Sequence, residues 1–306
     1  MKTIFATTAA LSWRMINRHL STLLLRKQNN RSIILLLSIA LLQCTPIQQS
    51  DRFVPDGLIS GELGSFHGYT MYSFLFQERQ CRVVVPNKPA EGNPWLWRAR
   101  FFGHRPEVDL ALLERGFYVV YVDVADLYGS PAAVQLWNEF YELLNSRYLF
   151  ADKVALEGMS RGGLSVFNWA AENAGKVACI YVDAPVCDIK SWPGGLKEGM
   201  GSKEDWQKCL AAYDFTEEQA REYNQNPINK VEPLVENDIP LLVVSGDDDQ
   251  VVPYSENAQM MVEQYEKLGG KVKVIIKKGE GHVHGLSNPR PIIQFILKHT
   301  REHLPS

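Results

Sequence analysis

A serine between glycines is the residue of this chain best suited to covalent chemistry. The pattern G-x-S-x-G spans Gly158–Gly162, with Ser160 at its centre, after the short apolar run 154–157 and before an apolar helical stretch. Between a strand and a helix, this pattern places the serine on a sharp, strained bend with its hydroxyl exposed. Such a hydroxyl attacks a carbonyl carbon when a neighbouring base removes its proton. Ser160 is therefore the predicted nucleophile.

An acid must then follow the serine, on the loop after a later strand. The apolar run 240–244 leads into three consecutive aspartates, Asp247, Asp248 and Asp249. Asp249 is the predicted acid because it stands three residues after a glycine and shortly before a valine-proline pair. The other two are expected to form turn hydrogen bonds or to face solvent.

A histidine must come last, again on a strand-exit loop. The apolar run 272–276 and a glycine-rich turn precede His282, the predicted base, and His284 is the alternative. In this arrangement His282 accepts the proton of Ser160, and Asp249 orients the imidazole and stabilises its charged form. Serine, acid and histidine thus occur in the required order.

The oxyanion formed by such an attack needs hydrogen-bond donors aimed at it. One predicted donor is the backbone N–H of Arg161, and the second is that of Phe102 or a neighbour within residues 101–104. The Arg161 guanidinium could also reach the oxyanion or a substrate carboxylate. The alternative is a salt bridge that supports the turn at Ser160.

Apolar runs alternating with amphipathic stretches indicate a mostly parallel sheet with helices on both faces. Residues 69–76 and 81–85 predict an antiparallel hairpin at its edge. The remaining predicted strands are 95–102, 117–124, 154–157, 177–182, 240–244 and 272–276, and the helices are 106–114, 131–146, 160–173, 256–268 and 291–299.

One long stretch interrupts this alternation. Residues 187–238 include two predicted short helices, near 204–212 and 216–223. A connection of this length inside a domain is usually functional. A cap over the active site is the preferred interpretation, and surface elaboration is the alternative.

Composition excludes some classes of protein. The chain has 306 residues, 45% hydrophobic and 22% charged, with a formal net charge of −3, which is typical of a globular protein. No basic run beyond the N-terminus suggests a nucleic-acid partner. The four cysteines beyond the leader, Cys81, Cys179, Cys187 and Cys209, lack metal-site spacing. No metal or organic cofactor is expected; a Cys187–Cys209 disulfide and buried free thiols both remain open.

The N-terminus resembles an export signal. Basic residues precede the apolar run 33–42, which is too short to span a bilayer but suits a signal peptide. The run ends at Cys44 in a pattern similar to a bacterial lipoprotein box, although Gln43 fits it poorly. We expect export to the periplasm or cell surface, with lipidation of Cys44 as a membrane anchor; a plain cleaved signal or an anchoring helix is the alternative. The predicted regions are a leader at 1–44, a connector at 45–66 and a catalytic domain at 67–306.

The triad motifs and strand order resemble the α/β-hydrolase superfamily over residues 68–300. Arg161 beside the serine is similar to glucuronoyl esterases, in which an arginine helps to hold the oxyanion. Segments 94–104 and 123–131 resemble a group of exported gut-bacterial α/β-hydrolases that includes a type of pectin methylesterase. The resemblance implies a polysaccharide esterase acting on a uronate methyl ester or an O-acetyl sugar.

A carbohydrate ester substrate suggests further contacts. Trp192, in the predicted cap, could stack on a sugar ring, and Tyr128 follows a strand end, where α/β sheets bind ligands. His104, on the loop of the second oxyanion donor, is a third candidate. Trp95 and Trp97 are expected in the core.

Two other functions fit the same motifs. A prolyl-oligopeptidase-like peptidase shares the triad, but such peptidases usually carry a large N-terminal propeller, for which we expect no room here. A noncatalytic binding module of this fold is disfavoured by the intact triad.

Overall fold

A nine-stranded sheet forms the centre of the structure, a computed structural model that describes residues 60–301. The predicted leader, Cys44 and most of the predicted connector lie outside the described residues. The strands are β1 (Glu62–Phe66), β2 (Tyr69–Phe76), β3 (Arg79–Val85), β4 (Trp95–Arg98), β5 (Tyr118–Val122), β6 (Val154–Met159), β7 (Val177–Asp183), β8 (Leu241–Gly246) and β9 (Val272–Lys277).

The strand order is β1-β2-β3-β5-β4-β6-β7-β8-β9. Strands β1, β2, β3 and β5 pair antiparallel, and all pairs from β5 through β4 to β9 are parallel. The predicted mostly parallel sheet with an antiparallel hairpin at its edge is therefore confirmed. Because the parallel strands share one direction, their carboxyl ends and exit loops lie along the same edge.

Helices cover both faces of this sheet. They are α1 (Glu107–Leu113), α2 (Pro131–Tyr148), α3 (Gly162–Glu172), α4 (Lys203–Tyr213), α5 (Glu217–Glu222), α6 (Glu232–Glu236), α7 (Ala258–Lys267) and α8 (Arg290–Arg301). Apolar residues of α2, α3 and α7 pack on one face, and those of α1 and α8 pack on the other. Trp95 and Trp97 are fully buried, as expected, and the Trp97 ring stacks on Trp137 with centroids 4.1 Å apart.

Two predicted assignments differ from the structure by more than two residues. Strand β1 lies within the predicted connector; its first four residues are exposed and show no burial pattern, and pairing with β2 orders them, while only Phe66 at its end is buried. Strand β4 ends at Arg98 rather than at 102. The backbone of Phe101 has φ 54°, in the left-handed region, which turns the chain out of the sheet.

The insertion at 187–238 contains α4, α5 and the unpredicted short helix α6. Ser202 caps α4 by accepting a hydrogen bond from Asp205 N–H, and a capping box formed by Thr216 and Gln219 begins α5. Apolar residues of the insertion pack against Tyr128 and other residues near the carboxyl edge of the sheet. The insertion thus has a small core of its own beside the predicted site.

Within residues 60–301, none of the helices combines the length and apolar character needed to cross a bilayer. The four described cysteines are buried free thiols, so the disulfide left open between Cys187 and Cys209 is not formed.

Candidate active site

The turn between β6 and α3 carries Ser160 in a strained backbone conformation. Its φ is 49°, in the left-handed region, and its N–H donates to the carbonyl of Asp183 at 2.9 Å. A Cβ at Gly158 would lie 3.0 Å from a methyl of Val166, and one at Gly162 would lie 3.2 Å from Arg100 Cβ. The glycines therefore leave the room that this turn needs.

The three predicted triad residues meet at the carboxyl edge of the sheet. His282 Nε2 lies 2.9 Å from Ser160 Oγ, and His282 Nδ1 lies 2.7 Å from Asp249 Oδ2. With the proton on Nδ1, the ring donates to Asp249 and accepts from the serine hydroxyl. Asp249 Oδ1 also accepts from the N–H groups of Val251 and Val252, both at 2.9 Å. This geometry can remove the Ser160 proton during attack on a carbonyl.

The two neighbouring aspartates face away from the histidine. Asp247 pairs with Lys278 at 2.9 Å and accepts from Gly279 N–H at 2.6 Å. Asp248 accepts from the Gln250 side chain at 3.1 Å. Both are exposed, and their contacts are the turn and solvent contacts expected of them.

Two backbone N–H groups are free to donate hydrogen bonds to an oxyanion. Within residues 60–301, neither Arg161 N–H nor Phe102 N–H donates a backbone hydrogen bond. Arg161 directly follows Ser160, and Phe102 lies on the loop after β4, as the prediction requires. The left-handed backbone at Phe101 turns that loop at the residue before the second donor.

The Arg161 side chain contacts the insertion and is only partly exposed to solvent. Its Nη1 donates to Asp205 Oδ1 at 2.9 Å, and its Cζ lies 4.5 Å from the centroid of the Trp192 ring. The Tyr128 hydroxyl donates to the same carboxylate oxygen at 2.5 Å. Burial opposes ionisation of Asp205, but these hydrogen bonds, one from Ser202 and the charge of Arg161 lower its pKa.

Trp192 and Tyr128 therefore differ from their predicted roles as open substrate contacts. They are only 5% and 2% exposed, and they enclose the Arg161 guanidinium instead of presenting a free ring face. Their orientation depends on how the insertion folds, which no local pattern specifies.

A cavity of about 660 Å³ opens beside the catalytic candidates. It contains the predicted substrate contact His104, whose Nε2 lies 3.4 Å from His284 Nδ1. Aromatic, imidazole and guanidinium groups line the cavity, so it offers apolar contact together with hydrogen-bond donors. Its lining residues are Phe101, Phe102, His104, Arg105, His282, Val283 and His284.

His284, the alternative base, lies beside His282 and does not reach the serine. The two rings are nearly perpendicular, with centroids 5.0 Å apart. Burial, followed by the charges of His282, His104 and Lys277, lowers the pKa of His284 to about 3. This imidazole therefore stays neutral at ordinary pH.

Buried charged residues near the site were missed by the sequence analysis. Arg98 pairs with Asp109, lies 3.3 Å from Glu157, and donates to the carbonyl of His104 at 2.7 Å. Burial raises the pKa of Glu157 to about 8 despite the nearby guanidinium. The available signal was a charged residue at the end of an otherwise apolar strand.

This chain matches the model of a known protein family. The model of the prolyl oligopeptidase family (Peptidase_S9) matches residues 136–303, more than half of the chain. This match includes all three residues of the candidate triad.

Three similar solved structures share the fold. A puromycin-hydrolyzing peptidase of Mycobacterium tuberculosis is 13% identical with a TM-score of 0.61, over 77% of this chain and 39% of that one. Porphyromonas gingivalis dipeptidyl peptidase 4 is 14% identical with a TM-score of 0.57, over 77% and 36%. An S-formylglutathione hydrolase from Agrobacterium tumefaciens is 15% identical with a TM-score of 0.56, over 80% and 99%. The predicted α/β-hydrolase fold is confirmed, and this chain spans less than half the length of the two peptidases.

The three aspartates of the acid loop allow a matched test. Asp249→Asn should lower kcat on p-nitrophenyl acetate by about 10⁴-fold, because an amide favours the wrong imidazole tautomer. Asp247→Asn and Asp248→Asn should stay within about threefold of the unchanged chain, since neither contacts His282. Steady-state kinetics on the three folded variants measure this. A large loss at 247 or 248 with little loss at 249 would contradict the geometry.

The low pKa of His284 predicts acid sensitivity of the fold. Between pH about 6.5 and 3 the unfolded imidazole binds a proton that the folded one does not, so the free energy of unfolding falls as pH falls. His284→Asn should lose less stability than the unchanged chain from pH 6.5 to 4, by up to about 1.4 kcal/mol per pH unit. Urea denaturation at several pH values measures the difference. His67→Asn, at an exposed position, is the control, and parallel curves for all three chains would refute the prediction.

Proposed function

The chain belongs to the prolyl oligopeptidase family of serine hydrolases, and we propose that it hydrolyses a carbohydrate ester, either a uronate methyl ester or an O-acetyl sugar. The observation that carries the hydrolase assignment is the continuous hydrogen-bonded path from Ser160 Oγ through His282 to Asp249. No other arrangement of the described residues places a serine hydroxyl against an imidazole that is itself held by a carboxylate.

The reaction follows from this path in two steps. Ser160 Oγ attacks the ester carbon while His282 Nε2 takes its proton, and the amides of Arg161 and Phe102 stabilise the oxyanion. His282 then gives this proton to the oxygen of the departing alcohol. The acyl group remains bonded to Ser160 Oγ. Water, deprotonated by His282, attacks this acyl group and releases the acid as serine recovers its proton.

Cationic groups around the site favour the uronate ester of the two ester classes. Asp205 engages Nη1 of Arg161, and the Arg161 side chain is still 24% exposed. Arg105 lines the cavity, and Arg100 lies over the Phe101 ring at 4.9 Å. A polyuronate carries carboxylates beside each ester, and guanidinium groups bind carboxylates well.

A serine peptidase is the second candidate. It is favoured by the family match and by the two peptidases among the similar structures. The same triad would serve, because His282 can protonate a departing amine as it can an alcohol. The two candidates differ in the acyl and leaving groups rather than in the catalytic residues.

A substrate panel tests the proposal. We expect methanol release from methyl-esterified polyuronate to exceed acetate release from an acetylated polysaccharide, with little cleavage of a proline-containing chromogenic peptide. Ser160→Ala should lower each activity by at least about 10³-fold without unfolding the chain. Cleavage of the peptide with both esters untouched would reject the esterase in favour of the peptidase. Equal activity of Ser160→Ala and the unchanged chain would reject the nucleophile.

Replacement of Arg161 tests the charge argument. Arg161→Gln should lower kcat/KM on methyl-esterified polyuronate about 10- to 100-fold, since a charged hydrogen bond contributes about 1.5–3 kcal/mol. Activity on p-nitrophenyl acetate should fall much less, because that substrate carries no carboxylate. The double variant Arg161→Gln, Asp205→Asn is the control, because it leaves no Asp205 carboxylate without its arginine partner. Equal losses on both substrates would mean that Arg161 supports the serine turn or the oxyanion instead.

A further inference from the structure

A buried ion pair lies beneath the loop that carries His282. Lys277 Nζ and Asp183 Oδ1 are 3.0 Å apart, and the two side chains are 5% and 0% exposed. Neither group takes part in the proton transfers described above. Burying two charges costs free energy unless their geometry is good and further hydrogen bonds are made. The further hydrogen bonds of this pair therefore indicate its role.

Those contacts hold the segment directly after His282. Lys277 Nζ also donates to the carbonyl of Val283, and Asp183 Oδ2 accepts from Gly285 N–H at 2.7 Å. The pair therefore binds the backbone one and three residues beyond the imidazole. The Tyr181 hydroxyl, at 3.1 Å, gives Asp183 a third donor.

Asp183 also contacts the turn that carries the nucleophile. Its backbone carbonyl accepts from Ser160 N–H at 2.9 Å, while its side chain accepts from Gly285 N–H. One residue at the end of β7 thus joins the serine turn to the histidine loop. These two segments meet again at the 2.9 Å contact between Ser160 Oγ and His282 Nε2.

The end of β8, between β7 and β9, accommodates this arrangement. Gly246 pairs with Lys277 across the sheet. A Cβ at Gly246 would meet the carbonyl oxygens of Glu280 and Gly281 at 2.1 and 2.5 Å. The backbone before His282 therefore lies against Gly246, which has no side chain. The ion pair holds the backbone after His282.

We propose that Lys277 and Asp183 are positioning residues, which hold the His282 imidazole at hydrogen-bonding distance from Ser160 Oγ. This inference rests on the proposed roles of Ser160 and His282, but not on the identity of the substrate. Small displacements of reacting groups cost large factors in rate. Loss of the pair should therefore slow chemistry without weakening substrate binding.

The test compares Lys277→Met, Asp183→Asn and the double variant with the unchanged chain. We expect kcat on p-nitrophenyl acetate to fall about 10- to 100-fold, with KM within about threefold. Labelling of Ser160 by a fluorophosphonate should slow by a similar factor, since it uses the same activated hydroxyl. Leu144→Ala, at a buried position of α2 away from the site, should lower stability but leave the labelling rate unchanged.

The variants are chosen so that folding does not obscure the result. Burial already raises the pKa of Asp183 against the effect of Lys277, so the carboxyl can take up a proton when the lysine is replaced. In the double variant no buried charge is left unpaired, and Asn retains an acceptor for Gly285 N–H while the Val283 carbonyl loses its donor. We expect the double variant to react slowly with the fluorophosphonate. Its loss of activity should be no larger than the combined losses of the two single variants.

Two failures can be told apart. If the unchanged chain is not labelled at Ser160, the nucleophile assignment itself is wrong. If the unchanged chain is labelled and the folded Lys277→Met and double variants label at the same rate, the ion pair supports stability alone and the positioning role is refuted. A rise in KM with unchanged kcat would refute it as well.

Discussion

The hydrogen bond between Ser160 and His282 joins residues 122 positions apart in the chain, and activation of the serine hydroxyl depends on it. It forms because parallel strands present their carboxyl ends along one edge of the sheet, and Ser160, Asp249 and His282 each follow such an end. The left-handed backbone at Ser160 then lifts the hydroxyl above that edge. A weak nucleophile becomes reactive only where these separate chain segments meet.

Charged residues are buried just below this edge, which is unusual for a sheet of apolar strands. Arg98 bonds the carbonyl of His104 on the loop of the second oxyanion donor, and Lys277 bonds the carbonyl of Val283 on the loop of the base. Both cations end a strand and are paired with buried carboxylates. Directional hydrogen bonds thus hold the backbone of both loops. The core thereby determines the geometry of the surface site.

Much of this architecture could be predicted from local sequence. The alternation of strands and helices followed from apolar runs, and the candidate triad followed from a motif and the required chain order. Strand β1 escaped prediction because four of its five residues are exposed, and the order of these four comes from pairing with β2. The burial of Trp192 against Arg161 and the pairing of Lys277 with Asp183 depend on segments that meet only in three dimensions. Such contacts leave no pattern of spacing.

The enclosure of Arg161 links the turn that carries the nucleophile to the insertion. Its backbone amide adjoins the nucleophile, while its guanidinium is held by Asp205 and Trp192 of the insertion. A mutation that remodels the insertion to admit a new substrate therefore also disturbs the residue next to the reacting oxygen. Evolution of substrate range through the insertion is thus constrained by the need to preserve turnover.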